Sequence, residues 1–273
     1  VSGAERFGFV SAGGVTRSLV ARLPSLLARL GPVKGVSYAA ARRITAALRA
    51  GEAVATYAAL GPCAAIWLEA PEAELEWVVR DLAAQTPIQR TRVVVCGAER
   101  GSASFEPLLA RGARVATLNA AGEGMRGLLV AEGHPDAVRL IRRLALADRQ
   151  RVIELRAQAK AAYFAGVHLA TDLLRPWIAA AIASLQAAGV ARPEAAALAS
   201  ELAARSVRSH ARIGEKPWGA AAEAELARVL GSRVAELSTR DARSAALYAE
   251  GLRLTLAYFG RSRARSRAAG QHA

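Results

Sequence analysis

The chain has 273 residues, 53% of them apolar, and a formal charge of +14. That length and apolar content exclude a disordered polyelectrolyte and suffice for one large or two modest folded domains. Two cysteines, Cys63 and Cys96, lie in or beside apolar runs, which excludes a disulfide framework or metal cluster and points to a reduced, cytoplasmic protein.

Phe7–Val10 reads as a short buried strand, followed by a small-residue turn and an amphipathic helix with inward leucines to Ala28. A strand, a glycine turn and a helix in that order make a phosphate cradle, because glycine admits the anion and the helix start offers free N–H groups. The three fingerprint positions read Ser11, Gly13 and Thr16, so only the middle glycine stands. Ser11, Gly13 and Gly14 are expected to line a pyrophosphate turn. Arg17 falls in the first helical turn, where a cation is unfavourable by about 0.3–1 kcal/mol unless a phosphate is bound.

Pro32 and Val33–Ser37 suggest a second strand, and Ala39–Ala50 a helix carrying Arg42 and Arg43. A dinucleotide fold that selects NAD places an acidic residue at the end of this strand. Here Ser37 and Tyr38 stand there, and the two arginines beyond suit a ribose 2′-phosphate. They read equally well as the wet face of a helix. Ala53–Tyr57 is a short third strand and Cys63–Ala70 a buried fourth, after which Pro71 opens a helix through Ala84. Arg92–Ala98, Arg114–Asn119, Gly127–Glu132 and Arg151–Leu155 read as further strands, with helices at Phe105–Ala110 and His134–Leu146. Strands alternating with helices predict an α/β fold with a doubly wound, Rossmann-type parallel sheet over residues 1–155.

From Arg156 the strand signal vanishes. Arg156–Ala188 carries a helical repeat that Pro176 should kink or interrupt, Gly189 supplies a stop, and Pro193 opens the next helix. Two more helices are expected at Ala220–Leu230 and Arg240–Phe259, making residues 156–260 an all-helical substrate or dimerisation domain. Trp177–Ala191, a long run free of charge, is too short to span a bilayer, and the first residues lack the segments of a signal peptide. No membrane partner is expected. Of 37 basic residues 34 are arginine, spread along the chain, which argues against a nucleic-acid footprint. The exception is Arg261–Arg267, in a basic and disordered tail over residues 261–273 that is the one candidate for binding a polyanion.

The segments Lys160–Tyr163 (KAAY), Val93–Pro107 (VVVCGAERGSASFEP) and Arg111–Leu118 (RGARVATL) carry a likeness. The chain resembles the bacterial Rossmann-like proteins with a C-terminal domain of unknown function. These are relatives of pyrroline-5-carboxylate reductases and deazaflavin-linked NADP oxidoreductases. It is a divergent member by this likeness. Val95, Asn119-Ala120, Phe164 and Thr171-Asp172 stand where the family has a histidine, a His-Pro pair, a histidine and a Ser-Asn pair. The resemblance implies a retained scaffold with an altered polar cluster.

Hydride transfer asks a protein to place the nicotinamide and manage one proton. The candidates for the proton are Lys160, favoured by the resemblance, and Tyr163, whose phenol a neighbouring lysine would acidify, with Asn119 beside the substrate. Lys160 also reads as a solvated cation in the early turns of its helix, and Tyr163 as a core residue. Ala70, Pro71, Cys96 and Gly97, at the ends of the fourth and fifth strands, would flank the nicotinamide. Cys96 has no adjacent histidine to make it a nucleophile. The sequence therefore predicts an oxidoreductase-like protein binding NADP in preference to NAD, a homodimer through the long helix, with an unidentified small substrate. The alternative is a catalytically silent dinucleotide-binding or scaffold protein on the same fold.

Overall fold

The structure, a computed structural model, describes residues 5–13, 18–122, 125, 127–213 and 232–260, without the side chains of 256–260. Gly14, Thr16, Arg17, the helix expected at 220–230 and the arginine tail lie outside the described residues.

Residues 5–167 build an eight-stranded sheet. Its strands are β1 (Phe7–Ser11), β2 (Leu30–Gly35), β3 (Glu52–Val54), β4 (Ala65–Glu69), β5 (Arg92–Cys96), β6 (Arg114–Ala120), β7 (Leu128–Gly133) and β8 (Arg151–Glu154). They run in the order β3-β2-β1-β4-β5-β6-β7-β8. All neighbours are parallel except β6 and β7. The helices are α1 (Pro24–Leu27), α2 (Tyr38–Leu48), α3 (Glu72–Gln85), α4 (Glu106–Ala110) and α5 (Pro135–Ala147). Central strands are covered on both faces, so β1 is buried at all five positions and its first four residues are apolar or glycine. Side chains alternate between the two faces. Phe7, Phe9, Trp67 and Val94 meet Ile141 and Leu144 of α5, whereas Val10, Ile66, Leu68 and Val95 meet Leu75, Val78 and Leu82 of α3. The doubly wound sheet expected from the sequence is therefore present.

Two local features depart from the sequence reading. Leu19, Leu23 and Leu26 are buried as expected, but the helix meant to carry them is broken into a 3-10 turn, Val20–Arg22, and the single turn of α1. Pro24 lacks the N–H that a continuing helix needs, and Leu23 before it adopts φ −120°, ψ 82°. In β2 the strand starts earlier than expected and includes Pro32. Phe7 pairs with Leu30 but Phe9 with Val33, so β2 carries one extra residue there. Such a bulge is where a paired strand tolerates proline.

The long helical pattern beyond the sheet is interrupted, giving α6 (Lys160–Ala170) and α7 (Arg175–Ala187), with Pro176 in the first turn of α7. Then come α8 (Arg192–Ile213), α9 (described over residues 232–240) and α10 (Ala242–Gly260). The contacts divide the chain into two units, Val1–Val167 and His168–Ala273. The division falls inside α6, whose first turn is tied to the sheet. In the second unit α7 and α10 pack closely: a Cβ on Gly251 would lie 2.5 Å from Cζ3 of Trp177. Among the described residues no helix is long and apolar enough to cross a membrane, and no group of three or more metal-ligating side chains occurs.

Candidate functional site

Parallel pairing brings the carboxyl ends of β1, β4, β5 and β6 to one edge of the sheet. The strand order reverses direction between β1 and β4, the place where open α/β sheets form a ligand crevice. Ser11 closes β1, buried, with its hydroxyl donating to the Gly13 carbonyl at 3.2 Å. A Cβ on Gly13 would lie 3.4 Å from Cδ of Pro71, so the turns after β1 and β4 approach through small residues, with Ala70 between strand and turn. Glu69 is the last residue of β4 and the register partner of both Ser11 and Cys96. Its carboxylate accepts from the Ser18 hydroxyl and, at 3.0 Å, from the Leu19 N–H. An anion bound at the start of the Val20–Arg22 turn would use these same donors. Burial raises the Glu69 pKa, and the bonds from Ser18 and Leu19 oppose that rise.

A second cluster forms where β5 and β6 end. Lys160, in the first turn of α6, is only 2% exposed. Its Nζ donates to the carbonyls of Ala98 and, at 3.1 Å, of Arg100. Asn119, near the end of β6, is 6% exposed, and its Nδ2 donates to the same Ala98 carbonyl at 3.0 Å. Its Oδ1 is buried with no hydrogen-bond partner among the described residues. Burial lowers the Lys160 pKa to about 8, against the opposing influence of Glu132. The solvated-cation reading of Lys160 is thereby corrected: one short helical turn carries the ammonium under the loop after β5.

Tyr163 donates its hydroxyl to the Ala121 carbonyl at 2.6 Å. Its pKa is raised by burial, so the acidified phenol expected from a neighbouring lysine is not found. Cys96 is buried and its thiol is pushed well up, by burial first and by Glu69 next, which keeps it protonated and unreactive. Gly97 beside it adopts φ 81°, and among the described residues nothing lies within 4 Å of where its Cβ would be. That open face is consistent with a flat group approaching the end of β5.

At the end of β2, Ser37 caps α2, its hydroxyl accepting from the Ala40 N–H at 3.1 Å. Arg42 and Arg43 are exposed, away from the buried face of Ala40, Ala41, Ile44 and Leu48. The structure thus brings Lys160, Asn119, Cys96 and Gly97 together at one end of the edge and Ser11, Gly13, Ala70 and Pro71 at the switch point. Arg42 and Arg43 stand apart on α2. Sequence reasoning overlooked Glu69, Ser18 and Glu132. Glu132 is 2% exposed and accepts from the N–H and hydroxyl of Ser102 at 2.8 and 3.0 Å. The available signal was a lone carboxylate at the end of an apolar run, in AIWLE and in LLVAEG.

No family model and no curated protein matches the chain. Solved structures do. Protein TM1727 from Thermotoga maritima superposes with a TM-score of 0.64 at 15% identity, over 94% of this chain and 99% of that one. A variant imine reductase from Myxococcus stipitatus in complex with NAD+ gives 0.62 at 13% identity, over 93% and 94% of the two chains. The imine reductase from Myxococcus stipitatus in complex with NADP+ gives 0.59 at 12%, over 93% and 94%. At such identities the likeness concerns architecture alone: a mostly parallel Rossmann-type sheet followed by a helical C-terminal part.

Proposed function

We propose that the chain binds a nicotinamide dinucleotide, NADP in preference to NAD, along the carboxyl edge of its sheet and acts as an oxidoreductase on a small substrate. The observation that carries this reading is the convergence of Lys160 and Asn119 on the Ala98 carbonyl, at the β5–β6 end of the same edge that holds the switch point. Similar folds that hold NAD+ or NADP+ support it. The residues fit the cofactor at both ends. The open face of Gly97 and the unpartnered Oδ1 of Asn119 suit a carboxamide donor, and Arg42 and Arg43 suit a 2′-phosphate. In the middle Glu69 holds donors that a diphosphate would use, so its carboxylate must be neutralised or displaced. When bound, a nicotinamide supplies or accepts hydride. The chain would place the substrate near Asn119 and hold the transferable proton on Nζ of Lys160, whose pKa of about 8 allows it to carry and release a proton near neutrality.

Fluorescence titration of the full chain with NADPH and NADH tests this directly. Failure of both to bind at millimolar concentration overturns it. Replacing Arg42 and Arg43 together with alanine should weaken NADPH about tenfold and leave NADH nearly unchanged. Equal effects would assign both arginines to the solvent face.

A second reading is a catalytically silent binding or scaffold protein. It is favoured by the burial of Lys160 and its two bonds to main-chain carbonyls, which suit a structural tie. Dinucleotide binding with unchanged affinity and fold in Lys160→Met, and no turnover in either protein, would select it. A homodimer through the helices after Lys160 is part of the same proposal, supported by Leu169 and Leu173, 65% and 53% exposed. Light scattering of the full chain would give one protomer mass if it fails.

A further inference from the structure

The other edge of the sheet carries a cleft that the proposed reaction does not use. Arg92 is the first residue of β5 and Arg114 the first of β6. With Asp136, Arg139, Leu140, Arg142 and Arg143 of α5 they line a cavity of about 670 Å3. Small-molecule sites typically occupy roughly 300–1,000 Å3. The cleft shares no residue with the carboxyl-edge site, and β5 separates the two by about 13 Å at its rise of about 3.3 Å per residue.

Its charges do not cancel. Glu5 pairs with Arg92 at 3.0 Å and Arg143 at 2.6 Å, with Arg29 at 3.8 Å. Asp136 is shared by Arg114 and Arg139, and Glu154 lies 3.7 Å from Arg142. The five guanidinium groups of the lining therefore share three carboxylates, one of which, Glu5, also meets Arg29 outside it, leaving two positive charges in surplus at the cleft. The hydrogen bond from Arg92, joined by Arg143, holds Glu5 below the usual carboxylate range, so protonation does not set this balance near neutrality. Each guanidinium has five donors and spends only one or two on these carboxylates, so the fork geometry that suits phosphate oxygens remains largely free. Arg139 and Arg142 are 68% and 63% exposed at the rim, whereas Arg92 and Arg114 are 21% and 30% exposed at the base. Buried Leu140 adds an apolar patch to the lining. A concave site with charged walls and a small apolar area favours a compact anion over an extended backbone.

We infer that this cleft at the amino ends of β5 and β6 is a binding site for a small oligophosphate, an anion of two or three linked phosphates. Five guanidinium groups spread around one cleft, with two charges in excess, match such an anion better than they match a single sulfate or carboxylate. Several guanidinium groups at one cavity allow several phosphate oxygens to be held at once.

Calorimetric titration of the full chain with inorganic tripolyphosphate, and with sulfate at matched ionic strength, tests the assignment. Tripolyphosphate should bind at least tenfold more tightly than sulfate. Arg139→Gln with Arg142→Gln should weaken it at least tenfold without moving the melting temperature of the ligand-free protein. Arg80→Gln with Arg175→Gln, both exposed and outside the cleft and the carboxyl-edge site, should leave tripolyphosphate affinity unchanged. Equal affinity for sulfate and tripolyphosphate would overturn the inference. So would equal losses in the two double variants, which would mean general surface charge. Tighter binding of a single-stranded oligonucleotide, lost with Arg139 and Arg142, would replace the small anion by a nucleic acid.

Discussion

Burying the Lys160 ammonium makes the stability of the fold depend on pH in a direction opposite to that of an ion-paired lysine. Its pKa falls from the ordinary 10.5 to about 8 because burial disfavours the charged form. Below pH 8 both the folded and the unfolded chain carry the proton, and the folded chain bears the full cost of the buried charge. Between pH 8 and 10.5 the unfolded chain still binds a proton that the folded chain has lost, so stability rises with pH. At about 1.4 kcal/mol per pH unit, the gain from pH 7 to pH 10 is about 2.5 kcal/mol. Lys160→Met is one atom shorter but similarly unbranched, has no such proton, and leaves the Ala98 carbonyl with its bond from Asn119. Urea unfolding of both proteins at pH 7, 8, 9 and 10 should show the wild type gaining on the variant by about 2.5 kcal/mol across that range. Parallel curves, within about 0.5 kcal/mol, would refute the reasoning, since Nζ would then be as well solvated folded as unfolded.

Other substitutions probe the same edge and the scaffold beneath it. Glu69→Gln should tighten NADPH binding, because it removes a negative charge from the donors Ser18 and Leu19. The wild type should likewise bind more tightly as pH falls and its raised carboxyl protonates, and a variant with unchanged affinity and pH profile would place the diphosphate elsewhere. Asn119→Leu loses the bond to Ala98 but also removes an unpartnered buried oxygen, so stability should change by less than about 1 kcal/mol. NADPH affinity should nevertheless fall, and an unchanged titration would exclude Oδ1 as a ligand. Gly35→Ala should destabilise by about 2–3 kcal/mol in thermal melts, since its Cβ would lie 2.7 Å from the Ala41 backbone nitrogen where α2 packs on β2. A melting temperature unaltered by that change would mean that α2 moves freely.

The fold was legible in the sequence wherever the signal is local. The run Phe7–Val10 is apolar because both faces of a central strand are covered, Pro71 sits where α3 starts, and Gly189 adopts the φ of 94° that a helix stop favours. The helix expected before Ala28 was less legible, because leucine spacing persists through Pro24 while the backbone cannot. The candidate site was legible in part. Lys160 and Asn119 stood out as polar residues at the ends of apolar segments, but their shared hold on Ala98 is a long-range contact. Glu69 was hidden because its role depends on Ser18 and Leu19, about fifty positions earlier.

By itself the sequence determined the alternation of strands and helices, and the change to helices alone after Arg156. Apolar periodicity and chain-breaking residues act within a few positions of one another. The tertiary structure decided which charges are buried and what they touch. Lys160 meets a carbonyl 62 residues away and Ser18 a carboxylate 51 residues away, and the arginines of β5, β6 and α5 gather only when parallel pairing brings their strand ends together. The surroundings of a charge, and therefore its proton affinity and its possible ligands, are set by those long-range neighbours and not by the adjacent sequence.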